Sequence, residues 1–466
     1  MTSPRRVRHV IACAAIALSG QAACALPPAE IVVIDDANGW PVPLVQLRTT
    51  HDLLFVTDNA GIVAIDAPEL LSRECWFEIT GHGYSVPADG FGYRGVRLKL
   101  APGERREVRV QRELAAQRLG RATGAGQFAE SQQLGREPQW QESGVFGCDS
   151  VQMTPYREGL FWLWGDTDLP HYPLGIFNVS GAASPTVVRD DWRPPLRFGA
   201  QLDYFRNDRG VPRGIADIPG DGPTWLWGLI ALPDEHGHER LCASYEKVKG
   251  GLRAYEKGLC TWDEVRERFV PQRKVWNRSR DDEHAPPLPT GHAVAWQDEQ
   301  GQSWVLFGDP FPHLRCRATF AAWRDPASWE LLDVQQHVAA AGDGRRVTPA
   351  RGAIAYSDFR GRWVCVFCER LGDPSAFGEL WYCEADEPTG PWGPAVKVVT
   401  HDNYTFYNPA IHAELTPEGS KSLVFEATYT HTFADHAAPT PRHDYNQIWY
   451  RLDLDDPRLA PAQKSR

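Results

Sequence analysis

Residues 148–167 read CDSVQMTPYREGLFWLWGDT. A first apolar segment ends in a turn at Arg157, Glu158 and Gly159, and a second one, Leu160, Phe161, Trp162, Leu163, Trp164, runs up to Gly165 and Asp166. Five large apolar side chains in succession cannot alternate between core and water. This strand should therefore have both faces covered by neighbouring sheets. Asp166 sits where it surfaces, followed by a proline-studded loop with His171 and Tyr172.

The same beat returns four more times. "TWLWGLIAL" is followed by "RLCASYEKV", "GHAVAWQD" by "SWVLFGDPF", "RGAIAYSD" by "RWVCVFCER", and "YNPAIHAEL" by "SLVFEATYT". Third strands follow in "RAYEKGLCTW", "RCRATFAAW", "ELWYCEAD" and "NQIWYRLDL". Multi-strand units recurring every 40 to 60 residues or so are the signature of a β-propeller. The expected fold is all-β: a small N-terminal antiparallel β-sandwich, then a five-bladed propeller over 144–459.

Composition agrees with a β-rich chain. The 466 residues include 18 Trp, 14 Tyr, 19 Phe, 41 Gly and 37 Pro, with only 2 Met. A net charge of -11 argues against nucleic acid as a partner. Arg5, Arg6, Arg8 and His9 precede "VIACAAIALSG", which is too short to span a bilayer, and Ala23 and Ala25 satisfy a small-residue cleavage rule. Residues 1–25 are expected to be a secretory signal, and no later stretch reads as a transmembrane segment. The expected location is periplasmic or extracellular. Gln21 stands where a lipobox needs an aliphatic residue, which disfavours lipid anchoring at Cys24.

Residues 29–114 show short strands broken by turns, with alternation in "RREVRVQR" and a hairpin at Asp58, Asn59, Ala60 and Gly61. Through Pro41, Val42, "TDNAGIVAI" and "ITGHGYSV" this stretch resembles the carboxypeptidase regulatory-like, transthyretin-like module. Such modules are usually spacers or stabilisers. The polar residues 115–143 are expected to be a linker or one short helix.

In a propeller the inner strands run along the axis and ligands bind at one mouth. Strand register places Asp149, His292, Arg351, Asn408 and His412 with Asp166, Glu246, Asp309, Glu369 and Glu426 around that mouth. Each one alone is the sort of polar residue that caps strand ends. As a set they suit glycoside hydrolysis, which needs one protonated and one ionised carboxyl. The propeller, Asp149 at the head of the first blade and the Trp-rich strands resemble the arabinanase, β-xylosidase and invertase clans of glycoside hydrolases. They also resemble exported propellers carrying a "WGDT" strand end, here Trp164 to Thr167. The invertase-type Asn-Asp-Pro-Asn is absent, and Ser150 stands where the arabinanase group has proline.

The resemblance implies Asp149 as base or nucleophile. Asp166 is expected to tune pKa values or bind a sugar hydroxyl, and Glu426 to be the acid, with Glu246 as its alternative. Trp164, His171, Glu246, His292, Asn408, His412 and Tyr429 are expected to bind substrate. A carbohydrate is the expected ligand, no cofactor is implied, and the alternative function is a non-catalytic glycan- or surface-binding propeller.

Metal ligation is not indicated. Cys365 and Cys368 lack a second zinc-type pair, and Asp453, Asp455 and Asp456 read as a solvated edge rather than a calcium site. Cysteine pairing is expected, if anywhere, between Cys368 and Cys383 or between Cys242 and Cys260.

Overall fold

The structure is a computed structural model that describes residues 26–279, 281, 284–372, 375–435 and 437–463. The expected signal segment lies outside the described residues, among which no helix is long and apolar enough to cross a membrane.

The N-terminal unit is two four-stranded sheets face to face. One is ordered Ile62–Ile65, Ala29–Asp35, Arg105–Arg112, Tyr84–Ser85, and the other Leu54–Val56, Gln46–Thr49, Glu74–Thr80, Gly95–Lys99. Ile31, Val33, Leu47, Val63, Phe77, Val108 and Val110 fill the space between them. All pairs are antiparallel but one: Ala29–Asp35 runs parallel to Arg105–Arg112, with Val33 opposite Val108. These two strands are far apart in the chain. Turn signals, which report only on neighbouring strands, say nothing about their direction.

Five four-stranded sheets follow, each begun by an inner strand: Gln152–Tyr156, Thr224–Pro233, His292–Gln297, Pro349–Ser357 and Thr405–Ile411. Successive inner strands pack on one another from the first to the fifth. The expected covering of residues 160–164 is what the first sheet shows. Trp162 and Trp164 stack on one face with ring centroids 6.2 Å apart, while Phe161 and Leu163 enter a separate core on the other face.

Of the expected linker or one short helix, the helix is present at Ala129–Gln133, and the fifth sheet corrects the reading of the residues before it. Its outermost strand is Gln117–Arg121, antiparallel to Asn446–Asp453 with Arg121 opposite Ile448. The segment looks like a linker because its residues are polar. Yet all five are buried, since their polar groups are bonded inside. Gln117 donates to Asp453 at 2.8 Å, and Asn59 of the sandwich exchanges bonds with the Arg121 backbone at 2.9 Å in both directions.

Arg118 joins the two units. Its guanidinium donates to the carbonyls of Pro43, Leu44, Gly81 and His82 at 2.8–3.1 Å and lies over the rings of Tyr84 and Tyr450. Asn446–Asp453 is thus an interior strand rather than an edge. The acids near it are paired: Asp453 with Arg451, Asp455 with Lys421 and Asp456 with Arg458.

The expected cysteine pairs do not form, because side chains an odd number of residues out of register point to opposite sheet faces. Cys383 faces Cys365, not Cys368. Likewise Cys242 is opposite Thr261 while Cys260 is opposite Ala243.

Candidate functional site

Pairing of Gln152 with Leu163 brings Asp149 and Asp166 to the same open end of the first hairpin. Gly165 donates its amide to the Asp149 carbonyl at 2.7 Å. A side chain at position 165 would come within 2.2 Å of Asp149 Oδ1, so only glycine lets the carboxylate lie there.

Three inner strands carry bulges at this end: between Trp227 and Ile230, between Pro349 and Gly352, and between Tyr407 and Ala410. Bulges re-aim side chains. Here they present Trp227, Arg351 and Asn408 to a common cleft. Asn408 and Ser150 both have left-handed backbones, with φ 49° and 54°, and Asn408 donates to the Ser150 hydroxyl at 2.5 Å. Such conformations are costly for residues with side chains and are held only where surroundings impose them.

The cleft, about 700 Å³ including space open to solvent, holds Asp149 and Asp166 between aromatic walls. Trp225 and Trp227 stand on one side; Phe377, Tyr407 and Phe433 pack together on the other, with ring centroids 4.7–5.6 Å apart. Asp149 accepts from the Tyr407 hydroxyl at 2.5 Å, and Asp166 accepts from the Trp225 indole at 3.1 Å. Arg351 lies over Trp227 and bonds Asp309 at 2.7 Å.

The two carboxyls have unequal surroundings. Burial raises the pKa of both. For Asp149 hydrogen bonds from Tyr407, Ser150 and Tyr445 and the Arg351 charge pull back down. Asp166 is pushed up to about 7, first by burial and then by the charge of Asp149, with only the Trp225 bond opposing. At neutral pH a proton on Asp166 therefore costs little, while Asp149 has the donors that hold an anion.

Of the expected residues, Asp149, Asp166, Trp164, Arg351 and Asn408 line the cleft. The others do not. Glu426 is 1% exposed and bonds His412 Nε2 at 2.6 Å, the pair being packed beside Trp162 and Trp449. Its strand, Ser422–Thr430, continues four residues beyond it. Glu426 is mid-strand, so it was misplaced at the mouth. Likewise His412 follows the far end of Thr405–Ile411.

Glu246 is ion-paired with Lys257 at 3.0 Å, and Glu369 with Arg345. His171 projects from an exposed turn. Tyr429 is buried at the sandwich boundary, bonding His82 and Thr440 at 2.7 and 2.8 Å. His292 lines a second cavity along the axis with residues of all five inner strands, and burial lowers its pKa to about 4.

Sequence reasoning missed Trp225, Trp227, Phe377, Tyr407 and Phe433. "TWLWG" opens an inner strand and offered a signal for the two tryptophans. Phe377 and Phe433 lie outside the strands, in connections without periodicity.

Because Glu426 is structural, Glu426→Ala is expected to lower thermal stability, leaving the His412 nitrogen unpaired at a cost of about 1–3 kcal/mol. Ligand binding by the folded fraction should not change. Melting curves beside glycan affinity check this; lost affinity with intact stability would contradict it.

Fold and site together define an all-β propeller protein with a two-carboxylate, aromatic-walled cleft. No protein-family model matches the chain, and no curated protein matches it. It is similar to solved structures of an arabinanase from Bacillus subtilis (11% identity, 66% of this chain and 95% of that one, TM-score 0.34) and an exo-β-1,3-galactanase from Phanerochaete chrysosporium (10%, 66% and 61%, TM-score 0.37). It is also similar to an N-acetylgalactosamine deacetylase from F. plautii (10%, 69% and 94%, TM-score 0.39). These likenesses assign this chain no activity.

Proposed function

We propose that this five-bladed propeller is an exported glycoside hydrolase whose cleft cleaves a polysaccharide or oligosaccharide, with the sandwich as an accessory unit. The supporting observation is that two carboxyls share one aromatic-walled cleft, Asp166 raised to about 7 and Asp149 held by three hydroxyl donors and a nearby guanidinium. Asp166 takes the acid role expected of Glu426. It gives its proton to the glycosidic oxygen as the bond to the anomeric carbon breaks. Asp149, ionised, either takes a proton from water or attacks that carbon. The aromatic walls suit the apolar faces of sugar rings, and the polar groups between them suit hydroxyls.

The test is reducing-end release from a panel of plant, algal and microbial glycans. Activity should fall as pH rises through about 7, the value at which Asp166 loses its proton. Asp166→Asn should lose most turnover on glycans and far less on aryl glycosides with good leaving groups. Binding without release across the panel would replace hydrolysis with the non-catalytic alternative.

The same group gives a stability signature. Its folded-state pKa lies above the ordinary value, so its contribution is present in acid and lost as pH rises through about 7. Asp166→Asn should therefore melt no lower than wild type at pH 8. A variant that melts well below wild type there would mean that Asp166 is structural.

A further inference from the structure

Eight cysteines lie among the described residues, seven of them buried. Cys365 and Cys383 differ from the rest. They are register partners on the adjacent strands Arg362–Glu369 and Leu380–Ala385, and both are fully buried in the same core with Trp363, Phe367 and Trp381. Directly opposed residues of an antiparallel pair have Cα atoms about 4.5–5.5 Å apart, inside the range of about 4.4–6.8 Å that a disulfide spans. Cys368 belongs to a different core from Cys383, and Cys242 to a different core from Cys260, so neither pair competes.

We propose that Cys365 and Cys383 form a disulfide across the fourth sheet of the propeller. Two S–H bonds break and one S–S bond forms. The two protons and two electrons reduce an external disulfide, such as oxidised glutathione or an oxidised dithiol protein, to two thiols through a mixed-disulfide intermediate. The bond forms while the sheet assembles, because in the finished core no external disulfide reaches the buried thiols, and burial disfavours the Cys365 thiolate that would attack it. It links the two strands whose connection carries Phe377, one wall of the cleft, three register pairs in from Cys368 and Leu380. The bond stands independently of the hydrolase proposal.

The full chain, unfolded with reductant and refolded in mixed reduced and oxidised glutathione, is alkylated and digested without reduction. Only the fraction that regains the starting melting transition is mapped, in parallel with protein purified from an oxidising expression compartment. The expected result in both is one cross-linked pair joining the Cys365 and Cys383 peptides, with Cys75, Cys148, Cys242, Cys260, Cys316 and Cys368 alkylated. The oxidised chain should melt several degrees above a Cys365→Ala/Cys383→Ala chain, and that gap should close after reduction in denaturant. Finding both residues alkylated, or either linked to another cysteine, overturns the proposal.

Discussion

In the Asp149→Asn variant, glycan turnover is expected to fall by about three orders of magnitude, within the range general acid–base groups contribute. The amide keeps the shape of the carboxyl, so it still fits against Gly165 and can turn its oxygen to the Tyr407 hydroxyl. It cannot ionise, so it neither takes a proton from water nor attacks carbon. Burial already disfavours the charge of Asp149. Removing that charge should leave the melting temperature within a few degrees of wild type. The measurement is kcat on the best glycan of the panel beside melting curves. Turnover equal to wild type would end the hydrolase proposal.

The second large effect is on stability. Arg118→Met should lower the melting transition by roughly 10 °C or more, using the few degrees per kcal/mol usual for larger domains. The side chain of this arginine donates to four carbonyls of the sandwich, and Arg118 is 2% exposed. Methionine fills much of the volume and supplies no donor. Each buried acceptor left without one costs about 1–3 kcal/mol, although such losses are not additive. Calorimetry with limited proteolysis of residues 26–114 checks this. A transition within about 2 °C of wild type would show that the sandwich is not held through Arg118.

What was legible in the sequence was local. The uninterrupted apolar run of 160–164 specified a strand covered on both faces, and the hairpin it forms fixed Asp149 beside Asp166 without knowledge of any other sheet. Glu426 was misread because a placement at the mouth depends on where a strand ends. Ser422–Thr430 ends at a threonine that gives no stop signal, opposite a strand whose bulge at Asn408 shifts the register. Phe377 and Phe433 meet Tyr407 through connections with no period to read.

Gln117–Arg121 was invisible for a further reason. Its partner strand lies more than 300 residues later, as the Thr123 to Gln447 separation of 324 shows. Its polar side chains, moreover, reach groups far from it in sequence or in the loops beside it: Gln117 bonds Asp453 of that partner, Arg118 the sandwich, and Arg121 the carbonyls of Ala125 and Arg442.

That separation sets an order of events. A propeller whose last sheet is completed by a strand preceding the first cannot close until nearly the whole chain is available, and contacts of such long range are slow to form. The sandwich, whose strands lie within residues 29–112, can be complete early, holding residues 117–121 through Arg118 as a waiting template. In a chain that leaves its ribosome or its export channel N-terminus first, residues 117–121 would then receive the final strand while held in place by the sandwich. A chain lacking it would have to find its own edge, with an unpaired strand exposed to other molecules until it did.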